Sequence, residues 1–191
     1  MTRTLWSLLV LLAPLCVHAQ APRPGKEAAT EINACSLLTS AEISKAIGFA
    51  VDAGRRQDEG TQANGSYSSS CIWMIAPAKD QPANPSPRQR HRFVILTAMQ
   101  WPAGKDLART FLDAFHTAAA NGVIASKPTP RKFGDEALWW GDGLAVRKGD
   151  VSFGLSVFMP SPDTARTSAM EEKLAPHILR RLNDRVAKQA V

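Results

Sequence analysis

Met1–Ala19 constrains this chain more than any other segment, because it decides which residues are left to fold. Arg3 supplies a positive start, and Leu5 to Val17 is an uncharged apolar run. Val17-His18-Ala19 then puts small residues where a signal peptidase reads. Ala19-Gln20-Ala21 offers a second cut after Ala21. The run from Leu5 to Val17 spans 13 residues, whereas a helix crossing a bilayer needs roughly 20. The segment is therefore read as a cleaved signal peptide rather than an anchor. Lipidation at Cys16 is the other alternative, but Leu15 stands where lipoprotein processing takes Gly or Ala. The expected product is a secreted or periplasmic protein that begins at about residue 20. It has no second apolar stretch of membrane length, so no transmembrane segment is expected.

Export changes the cysteine arithmetic. The sequence holds three cysteines, and Cys16 leaves with the leader. Cys35 and Cys71 remain as a pair in an oxidising compartment, which predicts a Cys35–Cys71 disulfide. The alternative is a pair of reactive or metal-binding thiols. No CxxC spacing exists and no histidine lies near either cysteine in sequence. The leader also removes Arg3 and no acid, so the formal charge falls from +6 to +5. A basic balance of this size permits an anionic partner without requiring one. The 45% hydrophobic and 21% charged content is that of an ordinary globular chain, not a disordered one.

Residues 20–31 contain prolines, a glycine and charges and read as a flexible leader, so 32–191 is taken as one domain. Thr39-Ser40-Ala41-Glu42 fits a capping box, and Ile43, Ala46 and Ile47 share a helical face. Gly48 closes that helix, which spans about 40–47. Residues 52–70 are polar and rich in Gly, Ser and Gln. Ser70–Ile75 reads as a strand, Pro77–Pro87 as an exposed loop, and Arg92–Ala98 as a second strand. The continuous apolar core of that second strand predicts burial on both faces. Lys105–Ala120 has the clearest apolar helical stripe, and a linker follows from Ser126 to Phe133. Strands at 136–140, 144–147 and 151–158 form a meander, and a final helix from Ala165 to about Ala187 is expected to kink at Pro176. The class is α+β: about five antiparallel strands packed with about three helices, in two halves that look like a loose repeat of helix plus hairpin.

Cys35-Ser36-Leu37-Leu38-Thr39-Ser40-Ala41-Glu42, then Cys71-Ile72-Trp73, resembles a family of uncharacterised exported bacterial proteins. Many of these are actinobacterial lipoproteins. Phe133-Gly134-Asp135-Glu136-Ala137 and Val146-Arg147-Lys148-Gly149-Asp150 are similar to the second half of that family, and to extracellular sensor domains of bacterial Ser/Thr kinases. The resemblance implies the fold class, a disulfide and an envelope address. It implies no reaction. The chain departs from the pattern in lacking a lipobox.

Side-chain chemistry points the same way. His91, His116 and His177 make no metal-ligand spacing with one another or with cysteine. No GxSxG elbow is present. Asp135 and Glu136 after Gly134 form an acidic pair that could serve acid–base chemistry, but a turn that uses the carboxylate as an acceptor is the simpler reading. No catalytic residue, metal or cofactor is therefore expected. Trp139 and Trp140, adjacent in a strand, must point to opposite faces. Trp140 and Trp101 are the candidate contact aromatics, and Arg88, Arg90 and Arg92 the candidate anion-facing edge. Arg180, Arg181, Arg185 and Lys188 form a second basic segment. No aromatics interleave with either run, so nucleic acid is not an expected partner. The expected function is a non-catalytic binding or sensing module of the cell envelope, its partner a ligand or a protein. The alternatives are a secreted hydrolase using Asp135 or Glu136, and an envelope protein of structural or inhibitory type.

Overall fold

The computed structural model describes residues 31–76, 92–104, 106–159 and 164–189. The expected signal peptide, the leader up to residue 30, the Pro77–Pro87 loop, Arg88, Arg90 and His91 lie outside them.

Cys35 sits in a 3-10 turn, Ala34–Ser36, and is joined to Cys71 by a disulfide across a Cα separation of 5.0 Å. Helix α1, Ser40–Ile47, follows at once. Thr39 Oγ1 accepts from the Glu42 N–H at 3.2 Å, and Glu42 Oε2 accepts in return from the Thr39 N–H at 3.0 Å. Gly48 ends the helix at φ 77°, a conformation that favours glycine. Strands β1 (Arg55–Thr61), β2 (Tyr67–Met74) and β3 (Phe93–Gln100) then form one meander. Helix α2 (Ala108–Ala120) leads to a second meander of β4 (Thr129–Arg131), β5 (Glu136–Trp139), β6 (Leu144–Lys148) and β7 (Val151–Phe158). Helix α3, Thr164–Gln189, ends the described fold and runs on through Pro176.

The two meanders meet where β3 pairs antiparallel with β7, giving one seven-stranded sheet in the order β1-β2-β3-β7-β6-β5-β4. Among the described residues the α+β class and three α-helices stand, but the strands number seven rather than five. The two strands that the sequence did not announce are the two margins of the sheet. Strand β1 (Arg-Arg-Gln-Asp-Glu-Gly-Thr) is exposed at almost every position, so it lacks the period-2 apolar pattern that marks a half-buried strand. Strand β4 is three residues long and contains Pro130, which reads as a breaker. Both are held by backbone pairing to a single neighbour. Helix α2 also starts three residues later than expected. Its cap position is Leu107, which makes no side-chain cap bond, and Asp106 just before it has φ 46°.

Successive residues of each strand face opposite ways, and the two faces of the sheet differ. Cys71, Trp73, Val94, Leu96, Ala98, Phe153, Leu155, Leu144 and Val146 point to one face and are buried. Ile43 and Ile47 of α1 and Leu174, Ile178 and Leu182 of α3 belong to the same core. On the other face α2 packs over β6 and β7, where Leu112 meets Leu138 and Ala145. The prediction that β3 is buried on both faces is not met. Val94, Leu96 and Ala98 are buried, whereas Phe93, Ile95, Thr97 and Met99 are only half-buried. Helix α2 reaches β6 and β7, and no described helix packs comparably over this face of β2 and β3.

The disulfide closes a loop of 36 residues in sequence separation. Loop-closure entropy for that length corresponds to about 4 kcal/mol. A Cys35→Ala, Cys71→Ala variant should therefore unfold at lower urea by about that free energy, with α1 still capped by Thr39. An unchanged midpoint in equilibrium denaturation would refute this.

Candidate functional site

Trp140 and Trp101 both lie on the half-covered face or at its rim, and neither presents a bare ring. Trp101 follows β3, is 6% exposed, and donates its indole N–H to Ser152 Oγ at 2.8 Å. The prediction of an exposed contact aromatic is corrected here, because the ring is packed and its one donor is satisfied. Trp140 is half-buried and stacks on Phe115 of α2 with ring centroids 4.5 Å apart. Phe111 meets Phe115 edge to face at 5.3 Å. Gly143 makes room for this cluster, since a Cβ there would collide with the Trp140 ring. Trp139 points to the opposite face, as alternation requires, and donates its indole N–H to Glu171. The primary work of Trp140 is thus to hold α2 on the sheet, with its remaining edge at the border of the open half.

The arginine edge also reads differently. Arg92 is 6% exposed, and its guanidinium lies 5.1 Å from the centroid of the Phe49 ring. It points inward rather than toward solvent, so it does not form an anion-facing edge. Arg88 and Arg90 are outside the described residues.

Asp135 is the acceptor of a turn. Its Oδ2 takes the Gly149 N–H at 2.6 Å, and its Oδ1 takes Lys148 Nζ at 3.0 Å. The Gly149 N–H, offset in part by burial and then helped by Lys148, holds this carboxyl below its usual range. Gly134 supplies φ 57°, and any Cβ there would strike the Arg147 carbonyl. Glu136 lies 3.7 Å from both Arg109 and Arg147. The pair therefore fastens the β6–β7 turn and the start of α2, and an ionised, cation-paired Asp135 is a poor general base. Among the described residues, no group of three His, Cys, Asp or Glu is placed to hold a metal.

The open half of the sheet includes Phe93 and Ile95, which the sequence reading expected to be buried, with neighbours from β2 and β7. Strand β2 gives Ile72 and Met74, β3 gives Phe93, Ile95 and Met99, and all are half-buried. Phe158, at the end of β7, is 37% exposed and packs against Phe93 at 4.6 Å. Ser70 and Thr97 share a hydrogen bond of 2.8 Å on the same face. Cross-strand register puts Ile72 opposite Ile95, and Phe93 opposite both Met74 and Phe158. Ile72, Met74, Phe93, Ile95 and Phe158 form one apolar surface spanning β2, β3 and the end of β7, and the Ser70–Thr97 pair stands between it and Met99.

Glu171 is a second residue that sequence reasoning missed. It is 1% exposed, accepting the Val157 N–H at 3.0 Å and the Trp139 indole N–H at 3.1 Å. Strand β7 outruns β6, whose pairing ends at Leu144 opposite Leu155. Glu171 thus takes a ladder N–H that β6 no longer reaches. Its signal was present: with Leu174, Ala175 and Ile178 it falls on the apolar stripe of the final helix. Burial pushes its carboxyl up to about 7 against the pull of these two donors, and Asp142 and Glu172 push the same way.

Compared with protein-family models, curated proteins and solved structures, the chain has no match. The resemblance to exported lipoprotein-like and sensor domains rests on the sequence motifs alone.

Glu171 generates a test by linkage. In the unfolded chain it ionises near 4.5, and in the native protein near 7. Between those values the native state holds a proton that the unfolded chain has released. Its contribution to stability is thus full below about pH 4.5 and is lost as pH rises through 7. Glu171→Gln removes the titration and leaves one of two converging N–H groups without an acceptor. Urea denaturation should show the variant less stable at pH 4.5, with the gap narrowing by up to about 3 kcal/mol by pH 7.5. A gap that stays constant across that range would refute the buried-acid assignment.

Proposed function

We propose that this protein is an exported, disulfide-stapled, non-catalytic binding module of the cell envelope, and that its partner is a protein laid against the open half of the sheet. One observation carries this reading. Strand β3 is central in the sheet and largely apolar, yet among the described residues only one of its faces is sealed. A half-covered face needs only polar residues opposite its core face. Ile72, Met74, Phe93, Ile95 and Phe158 instead give it a contiguous apolar character, the usual mark of a surface that another molecule covers. The patch spans three strands, about 10 Å across, with a pair of hydroxyls at its border. Such a broad surface suits a protein better than a small solute, which prefers an enclosing pocket.

Two further features fit the envelope address. The Cys35–Cys71 disulfide is formed, as expected of an oxidising compartment. No helix among the described residues is long and apolar enough to cross a membrane. The use of Asp135 as a turn acceptor supports the non-catalytic reading over a hydrolase.

The partner is tested by site-specific photocrosslinking in the producing cells. A crosslinking residue at position 72 or 95 should give a discrete protein adduct, and the same residue at exposed position 117 on α2 should not. Adducts of equal yield from all three positions, or none from 72 and 95, would overturn the docking face. Export is tested by intact mass of the protein from the envelope fraction. The expected species begins at Gln20 or Pro22 and carries no free thiol. A product retaining Met1–Ala19 would sink that part of the reading.

A further inference from the structure

The first and last helices leave a groove between them of about 530 Å³, lined by Ala41, Glu42, Lys45, Ala46, Lys173 and His177. We propose that this groove is a binding site for a phosphate-bearing anion, with Lys45, Lys173 and Arg180 supplying its positive charge. It lies apart from the open half of the sheet and does not depend on the docking face.

Helical geometry brings the charges together. Lys173, His177 and Arg180 are spaced i, i+4 and i+7 along α3, so they run down one face of that helix. Glu42 and Lys45 are spaced i and i+3 along α1 and face the same groove. Ala41 and Ala46 keep the α1 wall short, which leaves the space open.

Charge accounting then decides what fits. Glu42 is the one carboxylate among the lining residues, and it is already spent. Its Oε1 takes Arg181 Nη2 at 3.1 Å and lies 3.0 Å from His177 Nδ1. Its Oε2 takes Arg181 Nη1 at 2.9 Å, the Thr39 N–H at 3.0 Å and the Thr39 hydroxyl at 2.9 Å. A bidentate arginine fork of this kind neutralises a carboxylate closely. Arg180, whose side chain is 63% exposed, stands off at 3.6 Å from the same carboxylate. Among the described residues Lys45 and Lys173 have no acidic partner, and both are exposed. The groove therefore holds two lysines with no acidic partner, and Arg180 beside it shares the single Glu42 carboxylate with Arg181 and His177, so positive charge is in excess.

Packing does not account for them. Lys45 sits in the last turn of α1, where the helix dipole favours a cation. Lys173 and Arg180 are in the body of α3, where no such field acts, and bringing them beside Lys45 adds like-charge repulsion. The repulsion is relieved by an anion between them. A phosphate group carries up to about two charges on one tetrahedral head, so it answers several separate cations more fully than a single carboxylate does, and lysine is a point-charge partner for it.

The test is isothermal titration of the full, disulfide-bonded chain with inorganic tripolyphosphate at fixed ionic strength. Saturable binding is expected, weakened at least tenfold in a Lys45→Ala, Lys173→Ala variant. A Lys127→Ala, Lys132→Ala variant, equal in charge change and exposed elsewhere, should bind like the native chain. Lys45→Gln, Lys173→Gln provides the same readout should the alanine pair lower the melting temperature. No saturable binding, or equal weakening in the Lys127 and Lys132 variant, would overturn the site. Citrate binding as tightly as tripolyphosphate would overturn the assignment to phosphate.

Discussion

Glu42 ties the two ends of the described chain together. It closes the cap of α1 through Thr39, and through the Arg181 fork it fixes α3 against α1 from 139 residues away in sequence. Burial alone would raise this carboxyl. The Arg181 and Thr39 hydrogen bonds win and bring it down to about 2, so it is ionised wherever the protein is folded at ordinary pH. With α3 held there, its apolar stripe falls on the sheet and Glu171 arrives at the end of β7. The disulfide performs the matching task on the other margin, fastening the turn before α1 to β2. The sealed face of the sheet follows from these two fastenings.

The sealed face was the legible part of the fold. The capping box at Thr39 and Glu42, the pair Cys35 and Cys71, and the alternation of Val151–Phe158 each state their structure through local chemistry, and each is present as expected. Strands β1 and β4 were not legible, because a marginal strand needs only backbone partners and leaves little apolar pattern behind. The half-open state of β3 was illegible for a different reason. An apolar run says that both of its faces avoid water, but not whether the cover comes from the same chain. Ile95 and Leu96 are alike in sequence, and only packing separates them.

Site residues followed the same division. Gly134 and Asp135 were readable as a turn and its acceptor from their residue types, although the N–H that Asp135 takes belongs to Gly149, across β5 and β6. Trp101 and Arg92 were misplaced because their partners, Ser152 and Phe49, lie far away in sequence. A tryptophan count identifies large rings that need a home and does not identify which of them is left without one. The basic residues of α3 were noticed as a segment, but their meaning came only when α1 was laid beside them.

The composition of β1 and β4 has a bearing on how this molecule can meet others. Strand β1 carries Arg55, Arg56, Asp58 and Glu59, and its register breaks between Asp58 and Gly60. In β4, Pro130 withholds an N–H from any further neighbour. Neither margin offers a regular ladder to an added strand, so main-chain augmentation, and the fibrillar stacking that grows from it, has no starting point here. Recognition is left to side chains on a face, where a partner is chosen by shape and chemistry rather than by backbone hydrogen bonds that any extended peptide could make.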